Sequence, residues 1–191
     1  MRKKLTRGFY NRPALQVARE LLGKYLVLQK DGRFLSGRIV ETEAYIGLRD
    51  PASHAFRGKT PRNEVMFGGP GHAYVYLTYG MHHCLNLVTG RKGYPAAVLI
   101  RAMEPVDGVE WMMKRRGRKK LTDLANGPAK LCQALGIDRG TNGADLCGHF
   151  IYLQDRGEPV RSVARSSRIG ISEGKEKMWR FFVRRSEFVS K

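Results

Sequence analysis

The feature that most constrains this chain is a succession of strand-patterned segments closed by turns. "KYLVLQ" (24–29) and "GRIVETEAYIG" (37–47) read as two strands joined by the turn-rich "KDGRFLS", a β-meander pattern. "HAYVYLTYG" and "HCLNLV" read as the arms of a hairpin around Tyr79-Gly80-Met81, and "AAVLIRAMEP" as a further strand ending at Pro105. Helical patterns are fewer. After Pro13, the residues Ala14, Val17, Ala18, Leu21 and Leu22 recur at helical spacing until Gly23. Val106 to Met113 predicts a second helix running into "KRRGRKK" (114–120). "NGPAKLCQALG" predicts a third, with Pro128 at its start, Gly136 at its end and Leu131 and Leu135 on one face. From Leu48 to Gly71 the chain carries three prolines and four glycines with little periodicity, which predicts a long ordered loop. Loops of that length inside compact domains are usually functional or disordered. With no repeat and no low-complexity linker, residues 1–191 fit a single compact α+β domain. Its expected architecture is a mostly antiparallel curved sheet with flanking helices and a protruding β-hairpin.

Charge then narrows the partners. Lys+Arg 35 against Asp+Glu 17 gives a formal net charge of +18, more than solubility needs and enough to draw the chain to a polyanion. Nucleic acid is the first candidate and an anionic membrane surface the second. The second is weaker, because no apolar run approaches the roughly 18 residues of a spanning helix and no helix pairs a basic face with a large apolar one. "MRKKLTRGFYNRP" is basic but lacks the apolar core of a secretory signal. Cys84, Cys132 and Cys147 are odd in number and widely separated, which suits a reducing compartment. An intracellular protein is expected. The run 114–120 reads either as a solvated loop or as a phosphate-contacting patch.

Period-two alternation puts Glu41, Glu43 and Tyr45 on one strand face. Two glutamates alone suggest an exposed face. In a chain built to meet phosphates, however, a surface carboxylate repels the ligand, so one kept there is a candidate general base. His72, His82, His83 and His149 show no metal-ligand pairing with the cysteines, and adjacent His82 and His83 point to opposite sides of an extended chain. No nucleophile elbow or phosphate-binding loop is present. On the hairpin, Tyr74 and Tyr76 share a face and are most simply core residues. Tyr79 sits at the corner, where an aromatic has no core to fill. An exposed aromatic there suits a wedge between base steps, beside a slot for a displaced base.

The blocks "RIVETEAY", "SHAFRGKTPRN", "MFGGPGHAYVYLTYGMHHCLN", "LIRAMEP" and "NGPAKLCQALGI" closely resemble, in order, the alkyladenine (3-methyladenine) DNA glycosylases of the methylpurine family. The resemblance runs from about Leu21 to "RFFVRRS". It implies hydrolysis of the N-glycosidic bond of damaged purines in double-stranded DNA, without metal or organic cofactor, by a monomer associated with DNA inside the cell. Carried over by position, Glu43 resembles the family's general base and Arg101 the residue that helps hold the water beside it. Tyr45, His54 and Tyr76 match residues that stack on or contact the flipped base, Tyr79 the intercalating tyrosine, and Asn86 the side chain that closes the pocket against a guanine amino group. Glu41 serves as the control, and its loss is expected to matter much less than that of Glu43. A lyase step would need an amine nucleophile, and none of these residues is a lysine, so a monofunctional hydrolase is expected. "IGLRDPASHAFRG" and "LTYGMHHC" depart from the vertebrate members, and these departures bear on which lesions are accepted. A non-catalytic nucleic-acid-binding module would use the same basic surface and aromatic hairpin, but it would have no need of the "ETEAY" carboxylate.

Overall fold

The long segment "RFLSGRIVETEAYI" is rich in β-branched and aromatic residues and lacks proline, so it can extend over Arg33–Ile46 as the spine of the molecule. The computed structural model describes residues 2–30 and 32–190. Its strands are β1 (Lys3–Lys4), β2 (Tyr25–Lys30), β3 (Arg33–Ile46), β4 (Ala73–Thr78), β5 (His82–Thr89), β6 (Ala96–Asp107), β7 (Ile151–Asp155), β8 (Val163–Ser166) and β9 (Arg180–Val183). The helices are α1 (Arg7–Tyr10), α2 (Ala14–Glu20), α3 (Val109–Arg116) and α4 (Pro128–Leu135). The strands lie in the order β1-β7-β2-β3-β6-β5-β4, and every pairing among the described residues is antiparallel. β3 pairs with β6 along one edge. On its other edge the first half pairs with β2 and the second half with β9, so the sheet forks.

Register decides which residues share a face. Across β3, β6, β5 and β4 the residues Glu43, Leu99, Asn86 and Tyr74 lie directly opposite one another. The alternate positions Ala44, Val98, Leu87 and Ala73 therefore face the other way, into the main core. That core is closed by α2, which buries Ala14, Val17 and Ala18, and by α4, which buries Leu131, Cys132, Ala134 and Leu135. Thr42 Oγ1 donates to the Ala18 carbonyl at 2.8 Å and ties α2 to β3. The site face carries a smaller cluster of Ala55, Met66, Tyr74, Val88 and Ala97 under the loop that follows β3.

The expected helices and hairpin form, with shifted edges. β3 begins at Arg33 rather than Gly37, because its first residues pair with β2 one for one. The second helix starts at Val109, not Val106: β6 runs on to Asp107, and Gly108 then turns the chain at φ 72. A side chain at Gly108 would meet the Phe34 carbonyl at 2.8 Å, so only glycine fits. Part of the basic run is structural. Arg115 Nη1 caps α4 through the carbonyls of Ala134 and Leu135, and Arg116 Nε donates to the Leu124 carbonyl.

Candidate active site

Two irregularities bring the charged residues of the site together. Ile39 lies opposite Met103, Glu41 opposite Ala102 and Thr42 opposite Ile100, so Val40 and Arg101 are each left without a direct partner. Bulges of this kind re-aim side chains. Here they set Arg101 against both glutamates, with Nε 2.8 Å from Glu41 Oε1 and Nη1 3.2 Å from Glu43 Oε1. Neither glutamate is on an exposed face: both are fully buried.

Glu43 is held on three sides. Oε1 accepts the Ile169 N–H at 2.7 Å and forms an ion pair with Arg101 Nη1, and Oε2 accepts the Tyr45 hydroxyl at 2.8 Å. An ionised carboxylate offers about four acceptor positions. Oε2, which accepts from Tyr45, therefore keeps one position. Burial pushes the Glu43 pKa up and outweighs the opposing pull of Arg101, Ile169 and Tyr45. Glu41 moves the other way: burial opposes its charge, but the Ser190 N–H, Arg101 and Arg180 together pull its pKa down.

In front of this cluster lies a cavity of about 170 Å³, lined among others by Tyr45, His54, Tyr76, Thr78, Asn86 and Gly170. That is below the roughly 300–1,000 Å³ of sites for drug-sized ligands and suits one ring system. Glu43 lies behind the wall, and Tyr45 touches both the carboxylate and the cavity. His54 meets the Tyr76 ring edge-on at 4.4 Å between centroids, and its Nδ1 lies 2.9 Å from the Tyr74 hydroxyl. Burial, helped by Arg62, lowers the His54 pKa and keeps the ring neutral. The Arg62 guanidinium lies 5.5 Å from the Tyr76 centroid, with Nη2 donating to the Leu77 carbonyl at 3.1 Å. Asn86 is almost fully buried, and its Nδ2 donates to the Tyr74 carbonyl at 3.2 Å.

Tyr79 is one residue beyond Thr78 of the wall and is 87% exposed. It has φ 51 and is followed by Gly80 at φ 70. Hairpin turns of this sort favour asparagine at the first such position, and positive φ is uncommon for tyrosine. The chain therefore tolerates a poor turn residue in order to place an aromatic at its tip.

Several residues of the site carried no signal in the sequence. Arg168 forms a fully buried double ion pair with Asp50, Nη1 to Oδ2 at 2.5 Å and Nη2 to Oδ1 at 2.7 Å, and its guanidinium lies 4.7 Å from the Tyr45 ring centroid. Asn63 pins the long loop by donating to the His54 carbonyl at 2.8 Å and the Gly58 carbonyl at 2.9 Å. Gly170 and Ile171 close the cavity from a segment that showed only a serine- and arginine-rich composition. Among the described residues, no group of three or more His, Cys, Asp or Glu side chains is placed to share a metal ion, and no helix is long and apolar enough to cross a membrane.

The structure thus combines an antiparallel α+β fold with a ring-sized aromatic cavity, a buried Glu-Arg pair behind it and an exposed tyrosine beside it. The comparisons give this arrangement its family: the model of the methylpurine-DNA glycosylases matches residues 8–187, and the chain belongs to this family. It is 53% identical over 189 residues to a protein of Carboxydothermus hydrogenoformans and 50% identical over 200 residues to one of Desulfitobacterium hafniense, each alignment covering 98% of both chains. It is also 53% identical over 192 residues to a protein of Methanocella arvoryzae, covering 98% of this chain and 96% of the other. All three relatives carry 3-methyladenine DNA glycosylase as a provisional name.

Proposed function

We propose that the protein, acting as a monomeric one-domain DNA repair glycosylase on alkylated and deaminated purines, flips the damaged base out of duplex DNA into the aromatic cavity and hydrolyses its N-glycosidic bond with a water activated by Glu43. Membership of the methylpurine-DNA glycosylase family supports a DNA glycosylase of alkylated purines. The observation that carries the mechanism is the Glu43 carboxylate, with two hydrogen-bond donors and the Arg101 guanidinium around it and an acceptor position left on Oε2 beside Tyr45. A water in that position gives its proton to Glu43 as its oxygen attacks the sugar carbon. The bond to the base breaks, and the purine leaves with the bonding electrons. Alkylation has already placed positive charge on the ring, so those electrons neutralise it; a deaminated base starts neutral and takes a proton from solvent water as it leaves. Negative charge on Glu43 also favours the cationic sugar of the transition state.

The cavity suits such a leaving group. Electron-rich faces of Tyr45 and Tyr76 attract a cationic ring, and neutral His54 adds no opposing charge. Among the described residues, no lysine lines the cavity. Lys59 and Lys130, which lie in the family-like blocks, are bound to Glu64 and Asn126. This supports a hydrolase with no lyase step. The direct test is incubation with a duplex containing one methylated or deaminated purine. The expected product is an abasic site in an unbroken strand; breakage without heat or alkali would reject the monofunctional reading.

With a net charge of +18, affinity for undamaged duplex is expected to come mainly from phosphates and to fall steeply as salt is raised. Titrations at two or more salt concentrations measure this, and a flat response would contradict an electrostatic DNA surface.

Tyr79 and Asn86 divide opening of the duplex from choice of base. Tyr79→Ala removes a stacking contact worth about 1–3 kcal/mol and should weaken binding of all lesions together, least where the target is already unpaired. Asn86→Ser or Asn86→Gly should instead raise excision of guanine-type relative to adenine-type bases, because the trimmed side chain no longer excludes the 2-amino group. Competition between the two base types in each variant measures the split. Identical substrate profiles would overturn it.

A further inference from the structure

Glu41 is a buried carboxylate that this mechanism leaves without a task. It is fully enclosed, and its Oε1 accepts from Arg101 Nε at 2.8 Å, Arg180 Nε at 2.7 Å and Ser190 Oγ at 2.8 Å, while Oε2 accepts the Ser190 N–H at 2.6 Å. Ser190 Oγ in turn accepts from Arg101 Nη2 at 3.3 Å. A buried charge of this kind is weak evidence for stability, since well-packed apolar residues often serve as well. Its geometric effect is specific. Arg101 is gripped along the edge formed by Nε and Nη2, and Nη1 alone is turned to Glu43, at 3.2 Å.

We propose that Glu41 and Ser190 are positioning residues that hold Arg101 by one edge, so that it gives Glu43 a single contact and leaves an acceptor position of that carboxylate open for water. The proposal rests on the roles given above to Glu43 and Arg101. A free guanidinium beside a carboxylate closes on it with two parallel hydrogen bonds. Such closure would fill the open position on Glu43 and bind its charge more tightly. The base would then be both blocked and weakened.

The consequence is readable in pH. Glu43 is surrounded by Arg101 from β6, Arg180 opposite it in register on β9, Cys84 from β5, Tyr45 and Glu41 of its own strand, and the Ile169 N–H. Releasing Arg101 onto Glu43 lowers the Glu43 pKa. The acid limb of the rate profile then moves to lower pH while the plateau rate drops.

The experiment compares single-turnover excision across pH, together with lesion-duplex binding, in Ser190→Ala, Ser190→Thr and Glu41→Gln. Ser190→Ala is expected to lose roughly tenfold in plateau rate, the order of one hydrogen bond to a charged group, with binding kept. Ser190→Thr should restore the rate, and Glu41→Gln should lose more than Ser190→Ala. Both damaging variants should shift the acid limb downwards. A rate loss with an unmoved acid limb, or one that Ser190→Thr does not restore, would reduce both residues to scaffold and overturn the proposal. So would wild-type behaviour in Ser190→Ala and Glu41→Gln while Glu43→Gln is inactive, which leaves the role of Glu43 standing. An active Glu43→Gln would instead remove the reading beneath the proposal. If Glu41→Gln fails to fold, the two Ser190 variants decide alone.

Discussion

Glu43→Gln is expected to lower single-turnover excision by at least two orders of magnitude while binding to lesion DNA is kept. General bases contribute roughly 10²–10⁴ in rate. Glutamine retains the shape of the side chain: its oxygen can still accept from the Ile169 N–H and face Arg101, and its amide can donate to the Tyr45 hydroxyl, which turns to accept. What it loses is the capacity to take a proton from water. The pH profile gives an independent check. Burial raises the Glu43 pKa above the usual carboxylate value of about 4.3, and only the deprotonated form is a base. The wild-type rate should therefore fall as pH drops through a value higher than that of an ordinary glutamate. The residual rate of Glu43→Gln should not follow that limb. A variant that excises at near wild-type rates would end the assignment.

The second large effect is on stability. Arg168→Met is expected to destabilise the fold by about 3–5 kcal/mol, because removing one partner of a buried ion pair strands the other charge. Asp50 would keep the N–H groups of Ile46 and Ala52, at 3.2 and 3.3 Å, and the Lys177 ammonium no nearer than 4.0 Å, in a fully buried position. Arg7–Asp145 is the contrasting pair. Its side chains are 41% and 48% exposed, and breaking it should cost no more than about 1 kcal/mol. Denaturant titration of the two variants measures the difference, and equal losses would show that burial of the Asp50 pair is energetically unimportant. The pH dependence has a definite sign. Burial opposes the Asp50 charge, but Arg168 and the two N–H groups outweigh it and depress the pKa in the folded state. The stabilisation is thus complete above the unfolded aspartate value of about 3.9 and is lost as pH falls below it through the folded value. Arg168→Met should remove that part of the acid sensitivity. Excision should suffer too, since Asp50 anchors the start of the long loop and Arg168 directly precedes Ile169, which binds Glu43.

Local pattern was enough for much of this. Period-two alternation put Glu41, Glu43 and Tyr45 on one face, and the same alternation put Tyr74 and Tyr76 together on the hairpin. The ends of α4 were legible because proline at a first helical position and a left-handed glycine after the last are local backbone requirements. The exposed hairpin tyrosine was legible too, since no core can reach a turn. Strands β1, β7, β8 and β9 were not, because they are short and gain their hydrogen bonds only by joining a sheet built elsewhere.

The sequence by itself determined the residue types of the chemistry, the hairpin that carries Tyr79 and the strand that carries Glu43, because each depends on neighbours a few positions away. Only the tertiary structure decided that Glu41 and Glu43 are buried rather than exposed, and that Arg101, left unpaired by a bulge, lies between them. It alone brought Ile169, Arg180 and Ser190 onto the two carboxylates and set Arg168 on Asp50. The physical reason is that a buried charge survives only where donors from distant parts of the chain converge on it, and no local pattern encodes that convergence.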